Sequence, residues 1–123
     1  MREAREIIIK SLKATGITDK NIFFSRNVLP SSFPCAMVVL DEEAGIDKTG
    51  SRYLNQEYAF NVFLIISAEK STDPDVEVYD LKESFRAHYL NHTKYDFSKV
   101  FYYDARAESS RKIKVAKISV VLR

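Results

Sequence analysis

The chain holds one cysteine in 123 residues, three glycines, three prolines and a net charge of only +2. A lone Cys35 excludes an intrachain disulfide. Gly16, Gly45 and Gly50 lie too far apart to make the clustered backbone cradle of a phosphate-binding loop or a dinucleotide fingerprint. No apolar run approaches the roughly twenty residues that a membrane-spanning helix needs. The opening Met1-Arg2-Glu3-Ala4-Arg5-Glu6 is charged and lacks a signal peptide's apolar stretch, so the expectation is a soluble intracellular protein. A surplus of two positive charges is too small to argue nucleic-acid binding by itself.

What is present suits one ordinary globular domain spanning residues 1–123. Apolar residues make up 46% and charged residues 29%, close to the soluble average, and a chain of this length buries enough surface to need no staples. The charge is unevenly placed. Glu69 to Glu83 holds six acidic and two basic residues, whereas Ala105 to Arg123 holds six basic residues and one acid, Glu108. The plain reading is solvated faces. The sharper one is a self-complementary surface, in which the basic hairpin of one copy meets the acidic stretch of the next.

Periodicity sets the elements. Ala4, Ile7, Ile8 and Leu12 predict a helix over about 2–15, closed by Gly16 in the left-handed conformation. Ile22-Phe23-Phe24 suggests a short strand, and Val28 to Pro34 a loop. Cys35 to Leu40 predicts a strand buried on both faces, started by Pro34. Asp41 to Ser51 is polar, holds two glycines and is expected to be a long, mobile hairpin connection. Arg52 to Ala68 alternates as a long strand projecting at its Arg52 end. Phe63 and Ile65 interrupt its polar side, so that end is expected to be covered on both faces.

Thr72 or Asp73 caps a second helix, with Pro74 at its first position and Val78, Leu81, Phe85 and Tyr89 as its buried stripe. The helix is expected to stop near Asn91. Lys99 to Ala107 and Ile113 to Leu122 predict two more strands around a turn at Glu108 to Lys112. Among Phe101, Tyr102 and Tyr103, alternation assigns one set to the core. The sum is an α+β domain, order α-(β)-β-β-α-β-β. It has a mainly antiparallel sheet of four to five strands and both helices on one face.

Chemistry-bearing constellations are sparse. His88 and His92 have the spacing of two ligands on one helical face, with Asp96 the nearest third candidate. No acid stands between them, and the plain reading is two half-exposed histidines near a helix C-terminus. Cys35, at the head of an apolar strand, reads as a small buried hydrophobe rather than a nucleophile. Ser31-Ser32, Ser71-Thr72 and Ser109-Ser110 sit in turn or cap contexts. Glu42-Glu43 and Asp73-Asp75-Glu77 are carboxylate clusters without a visible catalytic partner. No catalytic residue, metal ligand or cofactor is assigned, and no enzyme activity is expected. Three readings remain open. One is an assembly protein. A second is a small nucleic-acid-binding module using the basic hairpin with Tyr102 or Tyr103. The third is a pocket enzyme gathering His88, Asp96 and Glu57.

The layout resembles the tail terminator, or tail completion, proteins of long-tailed bacteriophages: small proteins related to the minor tail protein U family and to a family of prophage tail proteins. The resemblance covers nearly the whole chain. It rests on the amphipathic helix from Glu3 to Ala14, the proline-started strand Phe33-Pro34-Cys35-Ala36-Met37-Val38-Val39-Leu40 and the long, partly polar hairpin. The alternating strand from Tyr58 to Ser67, the helix opening in Asp73-Pro74 and the closing hairpin complete it. It implies a homo-oligomeric ring, typically six-fold, on the head-proximal end of a tail. Such a ring stops tube growth and joins the tail tube protein to the head connector or neck, in the virion or in the host cytoplasm during assembly. DNA would be met only as the passing genome, and a membrane not at all. No catalytic residue carries over. The strongly basic last hairpin departs from the pattern, and either faces a neighbouring subunit or lines a DNA channel. Candidate subunit-interface residues are Asp41, Glu42, Glu43, Asp47 and Arg52 on the hairpin side, and Arg106, Arg111, Lys112, Lys114 and Lys117 on the basic side.

Overall fold

A computed structural model describes residues 2–24, 32–49, 52–107 and 111–122, with the backbone alone over 42–49 and 52–56. Helix α1 (Arg2–Ala14) buries Ile8, Ser11 and Leu12. Gly16 ends it at φ 105°, a conformation that a side chain makes costly. A single 3-10 turn (Asp19–Asn21) leads into β1 (Ile22–Phe23). Then come β2 (Cys35–Thr49), β3 (Arg52–Ser67), α2 (Pro74–Tyr89), β4 (Lys99–Arg106) and β5 (Lys112–Leu122). At the start of α2 the Asp73 carboxylate accepts the Val76 N–H at 3.3 Å, and Pro74 occupies the first turn, where no donor is lost.

The strands form one sheet in the order β1-β2-β3-β5-β4, antiparallel throughout except for β1 against β2. Both helices cover one face. There Val38, Phe60, Val62, Leu64, Ile118 and Val120 pack against Ile8 and Leu12 of α1 and against Val78, Phe85 and Tyr89 of α2. The opposite face carries a smaller cluster of Cys35, Phe63, Ile65, Ile113 and Val115, with Phe23 and Phe33 packed against it. The chain is thus α+β, with a five-stranded, mostly antiparallel sheet and two helices; the 3-10 turn before β1 departs from the expected order.

Several local expectations are corrected. Residues 41–49 are not a loop: β2 runs on to Thr49, paired with β3 down to Thr49↔Arg52, with register shifts at Leu40/Glu42, Gly45/Asp47 and Asp47/Lys48. Pairing with an alternating partner strand overrides the polar, glycine-containing composition, and bulges absorb the mismatch. Strand β2 is not buried on both faces at its far end, since Leu40 is 41% exposed. In α2 the buried stripe is Val78, Lys82, Phe85 and Tyr89, with Leu81 only half-buried. No member of the Phe101-Tyr102-Tyr103 run enters the core, because β4 is the sheet's edge and all three are about two-fifths exposed or more. Helix α2 stops at Tyr89, so His92 lies in the following turn and shares no helical face with His88. The expected loop at 28–31, the turn at 108–110, and the side chains of Glu42, Glu43, Asp47, Arg52 and Leu54 lie outside the described residues.

Candidate interaction surface

Strand register fixes which residues share the face that the helices leave uncovered. One row across it reads Phe23, Met37, Phe63, Lys117, Phe101. The next row reads Cys35, Ile65, Val115, Tyr103, and on the other side lies Val39, Asn61, Ser119, Lys99. Lys117 and Lys99 are the only charges in these three rows. A shallow hollow of about 590 Å³ is lined by Met37, Phe63, Phe101, Tyr102, Tyr103 and Lys117. Phe101 is 48% and Tyr103 39% exposed, with the Lys99 ammonium 4.4 Å from the Phe101 ring centre. This is an apolar, aromatic shelf bearing positive charge. Cys35 lies at its sheltered end, where burial pushes the thiol up to about 12, so it stays protonated and unreactive.

The other basic residues of the β4–β5 hairpin are dispersed. Lys114, on the helix side, meets Asp75 of α2 at 2.8 Å and Asp104 at 3.4 Å, and the Asp75 bond holds its pKa above the usual lysine range. The Lys112 N–H donates to the Glu69 carboxylate at 2.9 Å. Arg111 places its guanidinium 5.4 Å from the Phe33 ring centre, and Arg106 pairs with Lys112 in register. Tyr102 lies on the helix side, in a small hollow with Asp75, Tyr79 and Lys114. Lys82, which periodicity missed, tucks beneath Tyr79 at 4.0 Å and meets Glu83 at 2.6 Å. Burial works against its charge, but hydrogen bonds to Glu83 and Tyr102 outweigh it and leave its pKa raised. A signal was available: positions 78, 82, 85 and 89 carry the same spacing as the apolar stripe.

On the hairpin side, Asp41 is exposed at the first register shift. The backbones of Glu42, Glu43, Asp47 and Arg52 follow along the paired ends of β2 and β3. Tyr58 is the last β3 residue paired with β5, opposite Leu122, so from Glu57 to Arg52 the β2–β3 pair runs on without a third strand among the described residues. At the usual rise this is an arm of about 20 Å. The arm leaves one end of the sheet and the β4–β5 hairpin turns at the other, so the two candidate sets do not meet within one chain. His88, Asp96 and Glu57 do not converge either. Asp96 binds Arg86 at 2.9 Å, and Glu57 stands at the arm's root on β3. Among the described residues no group of three His, Cys, Asp or Glu side chains is placed to hold a metal ion. Among the described residues no helix is long and apolar enough to cross a membrane.

No family model matches the chain, and no curated protein matches it.

Proposed function

We propose that this chain is a structural assembly protein of a phage or prophage tail or neck. Copies join head to tail into a ring, six-fold in the resembling family, that ends the tail tube and meets the head connector. The observation that carries this reading is the β2–β3 arm. A two-stranded ribbon is marginal by itself in water, and an arm of this reach gains its stability by lying against something outside the domain. Unlike surfaces on the two sides of the sheet add support, because a closed ring is built from heterologous contacts between two different patches. The element order is the one on which the resemblance to the tail terminator proteins rests.

The test is mass in solution by light scattering over a wide concentration range, with negative-stain images of the same samples. The full chain should give a closed ring. A variant with residues 46–55 replaced by a two-residue Asn-Gly turn should keep its fold, because Gly45↔Gln56 remains paired, and should lose the ring. A full chain that stays monomeric at every concentration would overturn the reading. A second reading, a small nucleic-acid-binding module, draws support from Phe101 and Tyr103 standing beside Lys99 and Lys117 on the open face. It predicts binding to single strands that weakens steeply as salt rises.

A further inference from the structure

The sheet face away from the helices, exposed along β4 at Phe101 and Tyr103, and the outer surface of α2 point away from each other across the two layers, and each lacks what the other has. On the sheet side, Lys117 stands between Phe63 and Phe101 and makes no ion pair among the described residues. On the helix side, Val76, 53% exposed, stands opposite the buried Val78, Lys82, Phe85 and Tyr89, and Tyr79, 49% exposed, lies on the flank toward Tyr102. Asp80 adjoins Val76 one turn on, on the side away from Tyr79, and Glu77 lies on that flank; neither acid forms an ion pair among the described residues. Exposed apolar side chains on both surfaces, with unpaired lysine on one and unpaired acids on the other, make a complementary pair.

We infer that the α2 outer stripe of one copy docks on the open sheet face of the next. Val76 and Tyr79 cover Phe101, Tyr103 and Met37, and Asp80 meets Lys117. The occupant is a second copy, because the complementary charge lies on the far side of the same chain, where it cannot fold back onto the face. The contact is heterologous: each copy offers its sheet face to one neighbour and its helix face to the other, and such a contact repeats from copy to copy, closing into a ring where the rotation between copies closes and running on as a filament where it does not. This rests on the self-assembly reading above and names the surfaces that meet in it.

The experiment is a charge-reversal cycle on the full chain, read as self-association by sedimentation velocity. Lys117→Glu and Asp80→Lys each place like charges together, and each should weaken association at least about tenfold. An equimolar mixture of the two variants should recover assemblies of wild-type size, since every contact between unlike copies again pairs opposite charges. Asp80 is exposed and Lys117 half-buried, so the thermal unfolding midpoint should stay at the wild-type value and separate a lost contact from a lost fold. Recovery in the mixture supports the inference. A wild type that assembles while both variants assemble as well overturns it and leaves the ring reading standing. A wild type that never assembles overturns both. Salt-dependent binding of single-stranded DNA by a monomeric wild type, lost in Lys117→Glu, would make a nucleic acid the occupant.

Discussion

Tyr89 is the residue at which packing and polarity pull in opposite directions. Its ring is fully buried, 5.9 Å from Phe85 and 5.2 Å from Phe97 between ring centres, where it fills the space between α2 and the sheet. Its hydroxyl has no hydrogen-bond partner among the described residues, and burial raises its pKa beyond the usual tyrosine range. A buried hydroxyl without a partner has given up its hydration and gained nothing in exchange. Tyr89→Phe keeps the ring and removes the orphaned group, so the expected result in urea unfolding is no loss, or a gain of up to about 1 kcal/mol. Phe85→Ala, beside it, should cost about 3–5 kcal/mol, because the site is sealed on every side and collapses poorly. A loss above about 1 kcal/mol for Tyr89→Phe would mean that the hydroxyl has a partner and belongs to the core's polar framework.

At the scale of elements, α2 is tied to the chain that follows it by Arg86 and Asp96. The guanidinium Nε donates to both carboxylate oxygens, at 2.9 and 3.2 Å, the second guanidinium nitrogen closes a fork, and the same carboxylate caps the Phe97 N–H at 2.7 Å. The hydrogen bonds from Arg86 hold the Asp96 carboxyl below its usual pKa. A folded value below the unfolded one means that the stabilisation is complete above the ordinary aspartate range, near 4, and disappears as pH falls through the folded value. Asp96→Asn should therefore lower the melting temperature at pH 6, and the difference from wild type should close as pH falls below the ordinary aspartate range and through the lowered folded value. The groups are about two-fifths exposed, so the difference is small and shrinks in salt. A difference that persists unchanged into acid would assign the stabilisation to shape rather than charge. The same elements show where the sequence was legible. Helix ends were readable, because Asp73-Pro74 and Gly16 act within one turn of the chain they terminate. Burial was readable where apolar periodicity was strong, as in β3 and β5, and misread where the covering group was non-local. Lys82 is buried by Tyr102 from a distant strand, and Phe101 is exposed because β4 is an edge, a fact of strand order that alternation within one strand does not contain. The pairing of residues 41–49 was hidden for the same reason: their partner, not their composition, makes them a strand.

For the whole molecule, the decisive contrast is between a body whose β3 is paired on both sides and an arm where it is paired on one. Along Phe60 to Ile65 every β3 residue lies between β2 and β5, Ile66 is paired with β5, and all seven are buried, so these amides open only with the fold. From Arg52 to Glu57 the strand has a single neighbour among the described residues and no third strand there to anchor it. The body and the arm must then differ in the energy needed to expose their amides, and that difference is the reach available to a partner. In dilute monomer, amide exchange over 52–57 should be faster by at least about a hundredfold than over 60–66, the ratio expected between a local opening and the global one. In the assembled state the arm's exchange should slow toward that of the body, because docking adds the neighbour that its own chain does not supply, while 60–66 stays as slow as before. An arm that exchanges as slowly as the body in the monomer would mean that the ribbon is held within its own domain. Exchange that stays fast after assembly would mean that the ring is closed by the flat faces alone.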